Sequence, residues 1–97
     1  MDRLPGKVAL ISGAARGQGA TEAHRFAEEN ARIVIGDVRD DLLQQTADAI
    51  NEKVGAKVVC PVHLDVTRAV DWRNAVKKCQ EEFGGLDILV NNAGMQT

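Results

Sequence analysis

Apolar residues in this chain fall into short, nearly unbroken runs, separated by longer stretches in which they recur every three or four positions. That alternation predicts strands joined by helices. Residues 7–12, 31–36, 57–62 and 86–90 read as four strands, the first continuous enough in apolar character to be a parallel strand covered on both faces. A glycine-rich turn over residues 13–19 leads into a first helix that ends near Glu29, with Ala20, Ala23, Phe26 and Ala27 at helical spacing. Asp40 is the expected N-cap of a second helix carrying Leu43, Ala47, Ile50 and Val54 on one side, with Gly55 as its left-handed stop. Trp72, Val76, Cys79 and Phe83 form the stripe of a third helix, expected to face the core and to end at Gly84-Gly85. Pro61 places the third strand near the sheet margin, where a missing amide donor matters least.

Strands connected by single helices imply right-handed crossovers. The expected fold is therefore α/β, a Rossmann-like parallel sheet with alternating helices, truncated after about four strands. With 97 residues there is room for one small domain and not for a two-domain enzyme. A doubly wound sheet needs further strands beside the fourth and helices on both faces. Residues 1–97 accordingly read as the N-terminal, dinucleotide-binding half of a single domain whose catalytic half is absent. Alone, such a half is expected to be marginally stable or self-associating.

A formal charge of −2 gives the whole chain no pull toward nucleic acid or an anionic membrane, so a small-molecule partner is expected. The N-terminus lacks a cationic-then-apolar leader, and the expected location is cytoplasmic. Cys60 and Cys79 have neither the spacing nor the companions of a metal site and are expected to be buried free thiols. His24 and His63 share no metal-ligand spacing either, and no metal residue is assigned.

The strongest chemical signal is Ser12-Gly13-Ala14-Ala15-Arg16-Gly17-Gln18-Gly19, between a strand and a helix. A pyrophosphate needs a turn without bulky side chains, so that amides at a helix start can face its oxygens. Alone, the turn fits an ordinary tight bend as well. Asp37, eighteen residues beyond Gly19, changes the balance because a carboxylate there can accept from adenosine ribose hydroxyls while repelling a 2′-phosphate. Its alternative reading is a turn or helix-cap residue. Arg16 reads either as a phosphate contact or as a solvated side chain, and Arg39 is near enough to soften the selectivity of Asp37. NAD is favoured over NADP. No Gly-Lys-Ser or Gly-Lys-Thr follows the turn, which argues against nucleotide hydrolysis. A side chain at Gly17 is expected to crowd the loop.

Taken together, these elements resemble the short-chain dehydrogenase/reductase family over essentially the whole chain. Residues 12–19 resemble its Thr-Gly-x-x-x-Gly-x-Gly loop, with Ser12 in place of Thr. Asp37 resembles its acidic residue after the second strand, Asp65-Val66 its adenine-contacting pair, and Asn91-Asn92-Ala93-Gly94 its Asn-Asn-Ala-Gly motif. The wording is similar to that of NAD-linked hydroxysteroid dehydrogenases and of 3-oxoacyl carrier-protein reductases.

The resemblance implies a cofactor-binding set of Ser12, Gly13, Arg16, Gly17, Gln18, Gly19, Asp37, Val38, Asp65, Val66, Asn91, Ala93 and Gly94. Asp65 would accept from the adenine amino group, Val66 would bracket the ring, and Asn91 would steady the sheet and approach the ribose. Ser12 would keep a hydroxyl for a bond to the loop or the fourth strand. The implied chemistry is hydride transfer between NAD and a secondary alcohol or ketone, with a Tyr as acid/base, a Lys that lowers its pKa and a Ser that orients oxygen. This chain contains no Tyr, and Lys57, Lys77 and Lys78 precede the Asn-Asn-Ala-Gly motif, so no catalytic residue is assigned. A small alcohol or carbonyl substrate and homo-oligomerisation are expected only of the complete protein. The competing reading is a naturally truncated, noncatalytic module for NAD binding or protein interaction.

Overall fold

The computed structural model describes residues 4–92, ordered as β1 (Val8–Ser12), α1 (Gly17–Glu28), β2 (Arg32–Asp37), α2 (Asp40–Val54), β3 (Val59–His63), α3 (Ala69–Phe83) and β4 (Ile88–Asn91). The strands form one parallel sheet in the order β3-β2-β1-β4. Alternate residues feed opposite faces. Ala9, Ile11, Ile33 and Ile35 meet Ala23, Ala27, Leu43, Ala47 and Ile50 of α1 and α2, whereas Val8, Leu10, Val34 and Cys60 meet Ala75 and Cys79 of α3. Both faces of β1 and β2 are dry, which accounts for their unbroken apolar sequence.

β3 lies at an edge, as Pro61 predicts. It starts at Val59 rather than Lys57 because the Asn51 side chain occupies its approach. Asn51 Oδ1 accepts from the Val58 and Val59 amides at 2.8 and 2.9 Å, and its Nδ2 donates to the Val59 carbonyl at 2.9 Å. β4 likewise begins at Ile88, two residues later than periodicity predicts, and it takes in Asn91. Asp87 acts as the lead-in: its carboxylate accepts from the Val8 amide at 2.9 Å, and its own amide donates to the Val8 carbonyl at 2.8 Å.

Three further expectations are corrected. Asp40 is the first helical residue of α2 and not its N-cap, which is Arg39, because the Asp40 carboxylate is drawn to His63. Val54 is 38% exposed, since it lies at the last position of α2, beyond the reach of the sheet. Only Cys79 of the expected α3 stripe is fully buried; Trp72, Val76 and Phe83 are half-buried around it, and Ala75 supplies the other deep contact.

Cys60 and Cys79 are buried free thiols. Burial raises both pKa values, that of Cys79 to about 11, and a hydrogen bond to Glu82 adds to the rise at Cys60. Neither thiol is poised as a nucleophile. No helix among the described residues is long and apolar enough to cross a membrane.

Candidate functional site

The chain leaves β1 toward β2 and β3 on one side, then returns to place β4 on the other. That reversal opens a crevice at the carboxyl ends of the strands, the general ligand position of open α/β sheets. Six of the predicted residues, Gly13, Arg16, Asp37, Val38, Asp65 and Val66, gather there. Gly13, Arg16, Asp37, Val38, Arg39, Leu64, Asp65 and Val66 line one cleft of about 240 Å³.

The floor of this cleft is the turn between β1 and α1. Arg16 holds the N-cap position of α1 in extended conformation, and among the described residues no side chain caps that end. No acidic residue occupies the first turn either, so the free amides and the positive end of the helix dipole remain available to an anion. Gly17 and Gly19 serve different ends. Gly17 has φ +65° with open space where a Cβ would sit, so it is required for its left-handed backbone; the expectation that a side chain there crowds the loop is wrong. The crowding belongs to Gly19, where a Cβ would run into the Gly13 carbonyl oxygen and lie 2.9 Å from Ala14 Cα.

Asp37 is the last residue of β2, and both its oxygens are already oriented. Oδ2 accepts from the Ala15 amide at 3.1 Å and Oδ1 from the Arg39 amide at 3.1 Å. Each carboxylate oxygen can accept more than one hydrogen, so lone-pair capacity remains for ligand hydroxyls. Beside it Val38 is 53% exposed, an apolar face left open at the cleft mouth. Leu64 forms the opposite wall; it is buried against Gly36, where a Cβ would lie 2.8 Å from its own Cβ.

Asp65 shapes the far end. Its Oδ1 accepts from the Thr67 amide at 2.9 Å and the Thr67 hydroxyl at 2.6 Å, and these bonds hold its pKa below the ordinary carboxylate value. Its amide donates to Asp71 at 2.9 Å, while the Val66 carbonyl accepts from the Trp72 indole at 2.9 Å. The first turn of α3 thereby fixes the Asp65-Val66 backbone.

Ser12 and Asn91 sit on the other side of the crevice. The Ser12 hydroxyl, fully buried, donates to Asn91 Oδ1 at 2.6 Å and accepts from the Asn92 amide at 3.1 Å. The hydroxyl therefore goes to the fourth strand. Asn92 Nδ2 donates to Glu22 of α1 at 2.6 Å, which ties the end of β4 to that helix. Gln18 is exposed in the first turn of α1. Ala93 and Gly94 lie outside the described residues. Among the described residues no group of three or more His, Cys, Asp or Glu is arranged to hold a metal ion.

His63 is exposed and structural, with partners that the spacing of the sequence does not reveal. Its Nδ1 lies 2.7 Å from Asp40 and its Nε2 3.9 Å from Asp71, joining the starts of α2 and α3 at the end of β3. The hydrogen bond to Asp40 raises its pKa above the ordinary histidine value, slight burial opposes this, and the charges of Asp40, Asp71 and Asp65 reinforce it. Because the folded pKa is the higher one, the stabilisation is complete below about pH 6.5 and is lost as pH rises through the folded value. Thermal melts from pH 6 to 8.5 should therefore show a decline that His63→Ala flattens; parallel curves for the two proteins would refute this.

The strand order and the alternating helices define a Rossmann-like parallel sheet of four strands. The sequence model of the short chain dehydrogenase family matches residues 7–97, and the chain belongs to that family. It is 46% identical over 94 residues to the 2,5-dichloro-2,5-cyclohexadiene-1,4-diol dehydrogenase LinX of Sphingobium indicum, covering 97% of this chain and 37% of the relative. It is 44% identical to the 3-alpha-(or 20-beta)-hydroxysteroid dehydrogenase of Mycobacterium bovis, covering 96% of this chain and 34% of that protein. Among solved structures, L-sorbose reductase from Gluconobacter frateurii, complexed with NADPH and L-sorbose, superposes with a TM-score of 0.90 at 40% identity, over 100% of this chain and 37% of the reductase. The chain thus spans little more than a third of the length of these relatives.

Proposed function

We propose that residues 1–97 are the N-terminal cofactor-binding half of the Rossmann-like domain of an NAD-dependent oxidoreductase that interconverts a secondary alcohol and a ketone. The observation that carries this reading is the convergence, in one cleft, of the uncapped start of α1, the oriented Asp37 carboxylate and the 64–66 wall. Gly13, Arg16, Gly17, Gln18 and Gly19 would hold the pyrophosphate. Asp37 would accept from the adenosine ribose, and Val38, Asp65 and Val66 would surround the adenine. Asn91, held by Ser12, would steady the sheet and approach the ribose, and Ala93 and Gly94 would leave space beside the cofactor. The bound dinucleotide would supply the hydride donor or acceptor, and the general acid and base would come from residues beyond this chain. The alcohol chemistry is supported by the relatives, whose names describe dehydrogenases of a cyclic diol and of hydroxysteroids. A small alcohol or carbonyl substrate, a homo-oligomeric assembly and a cytoplasmic setting complete the reading.

NAD is preferred over NADP on the strength of the charge at Asp37, although Arg16 and Arg39 share its cleft. Titration of the protein with each dinucleotide is expected to give an NAD affinity at least tenfold the higher, corresponding to about 1.4 kcal/mol. Tighter binding of NADP would overturn the NAD assignment, and binding of neither would overturn the dinucleotide reading.

A further inference from the structure

We propose that Thr46 is a positioning residue for the pyrophosphate loop, acting from α2 through the Ala15 peptide. The inference rests on the dinucleotide reading and goes beyond it by naming what holds the loop in shape. Thr46 Oγ1 donates to the Ala15 carbonyl at 2.6 Å, across 31 positions of sequence. The Ala15 amide donates to Asp37 at 3.1 Å, and the preceding Ala14 amide donates to the Gly36 carbonyl at 3.1 Å. The loop is therefore fastened to the end of β2 by two amides and to α2 by one carbonyl. Of these three bonds, only the one from Thr46 approaches from outside the sheet.

Thr46 differs from the other helical threonine of the described residues. The Thr21 hydroxyl follows the usual habit of a helical threonine and donates at 3.1 Å to the carbonyl four residues earlier in its own helix, that of Gly17. Thr46 instead leaves its helix for another element. It sits between Leu43, Ala47 and Ile50, all buried against the sheet, so its own backbone is a fixed post. Ala15 is also buried, which makes its carbonyl costly to leave without a donor. Fixing the Ala15–Arg16 peptide sets the direction of the amides that follow at the start of α1, the groups that face the phosphates in the dinucleotide reading. The Ala15 amide that donates to Asp37 belongs to the preceding peptide, so Thr46 and Asp37 hold two successive peptide units of the loop, and Thr46 holds the one nearer the start of α1.

The test uses three ligands on the full-length protein: NAD, ADP-ribose and adenosine, the last having base and ribose but no phosphate. Affinities are measured by calorimetric titration or by displacement. Thr46→Val, which keeps the shape and loses the donor, is expected to weaken NAD and ADP-ribose about fivefold, the usual scale for one net hydrogen bond. Adenosine affinity should stay unchanged, and Thr46→Ser should restore the other two. Thr46→Ala is run alongside, so that a packing defect peculiar to valine is separated from the hydroxyl loss common to both. Equal weakening of all three ligands, or no weakening of any, would overturn the proposal. If the unsubstituted protein binds no NAD, the parent reading falls with it; NAD binding indifferent to Thr46→Val and Thr46→Ala defeats the inference alone.

Discussion

Gly19→Ala is expected to abolish measurable NAD binding and to destabilise the fold by about 3 kcal/mol, the upper range for an overpacked site. The reason is that the clash arises at the first added carbon. A Cβ at Gly19 meets the Gly13 carbonyl oxygen and stands 2.9 Å from both Gly13 C and Ala14 Cα, all backbone atoms with no rotamer to escape into. Relief requires α1 to lift from the loop that its first turn rests on, and this displaces the amides that would meet the phosphates. Gly17→Ala supplies the contrast. That position has open space and a φ of +65°, so its cost is conformational strain of about 1 kcal/mol. Thermal melts and NAD titration of the two variants should rank Gly19→Ala as far the more damaging. The reverse order, or equal damage, would show that the loop and helix are not in the contact described.

The second large effect concerns selectivity. Asp37→Asn is expected to lower the NAD-to-NADP affinity ratio about a hundredfold, by two separable contributions. Losing charge-assisted acceptance from ribose hydroxyls weakens NAD about tenfold, close to the low end of the roughly 1.5–3 kcal/mol scale of such bonds. Losing the repulsion of a 2′-phosphate strengthens NADP, since charges about 4 Å apart near a protein surface interact at up to about 4 kcal/mol. Arg16 and Arg39 line the same cleft and would then be free to receive that phosphate. Because Asp37 also accepts from the Ala15 and Arg39 amides, part of the NAD loss should come through the loop. Parallel titrations with both dinucleotides decide the matter. An unchanged ratio would remove Asp37 from the ribose site, whatever happened to the absolute affinities.

Much of this was legible in the chain because its signals are local. The strands are short, mostly apolar runs, so their existence could be read directly, and the glycine turn with Asp37 marked the crevice. Strand ends were less legible. Val58 and Asp87 look like strand residues, yet Asn51 takes the amide of the first, and the second carries the carboxylate that takes the amide of Val8. A side chain from another element sets each boundary, and no periodicity encodes that. The same holds for Asp40, whose spacing suits a helix cap but whose carboxylate is claimed by His63, 23 positions away. Thr46 was silent for a similar reason: in the sequence it is one more polar residue on an amphipathic helix. Crowding was expected at Gly17, whereas it falls at Gly19, because spacing alone does not separate a need for positive φ from a need for space.

The bonds between Ser12 and Asn91 and between Val8 and Asp87 each join residues 79 positions apart. During synthesis the ribosome delivers β1, α1, β2, α2 and β3 well before β4, and neighbours in sequence can pair as they emerge. One edge of the central strand must nevertheless wait for residues 79 positions further on, and closing so long a loop carries the entropy that slows folding. The crevice is thus closed only when β4 arrives, although its glycine turn emerges before β2 and β3. Slow codons or a chaperone acting before residue 88 would meet a nascent wing with its binding edge still unformed.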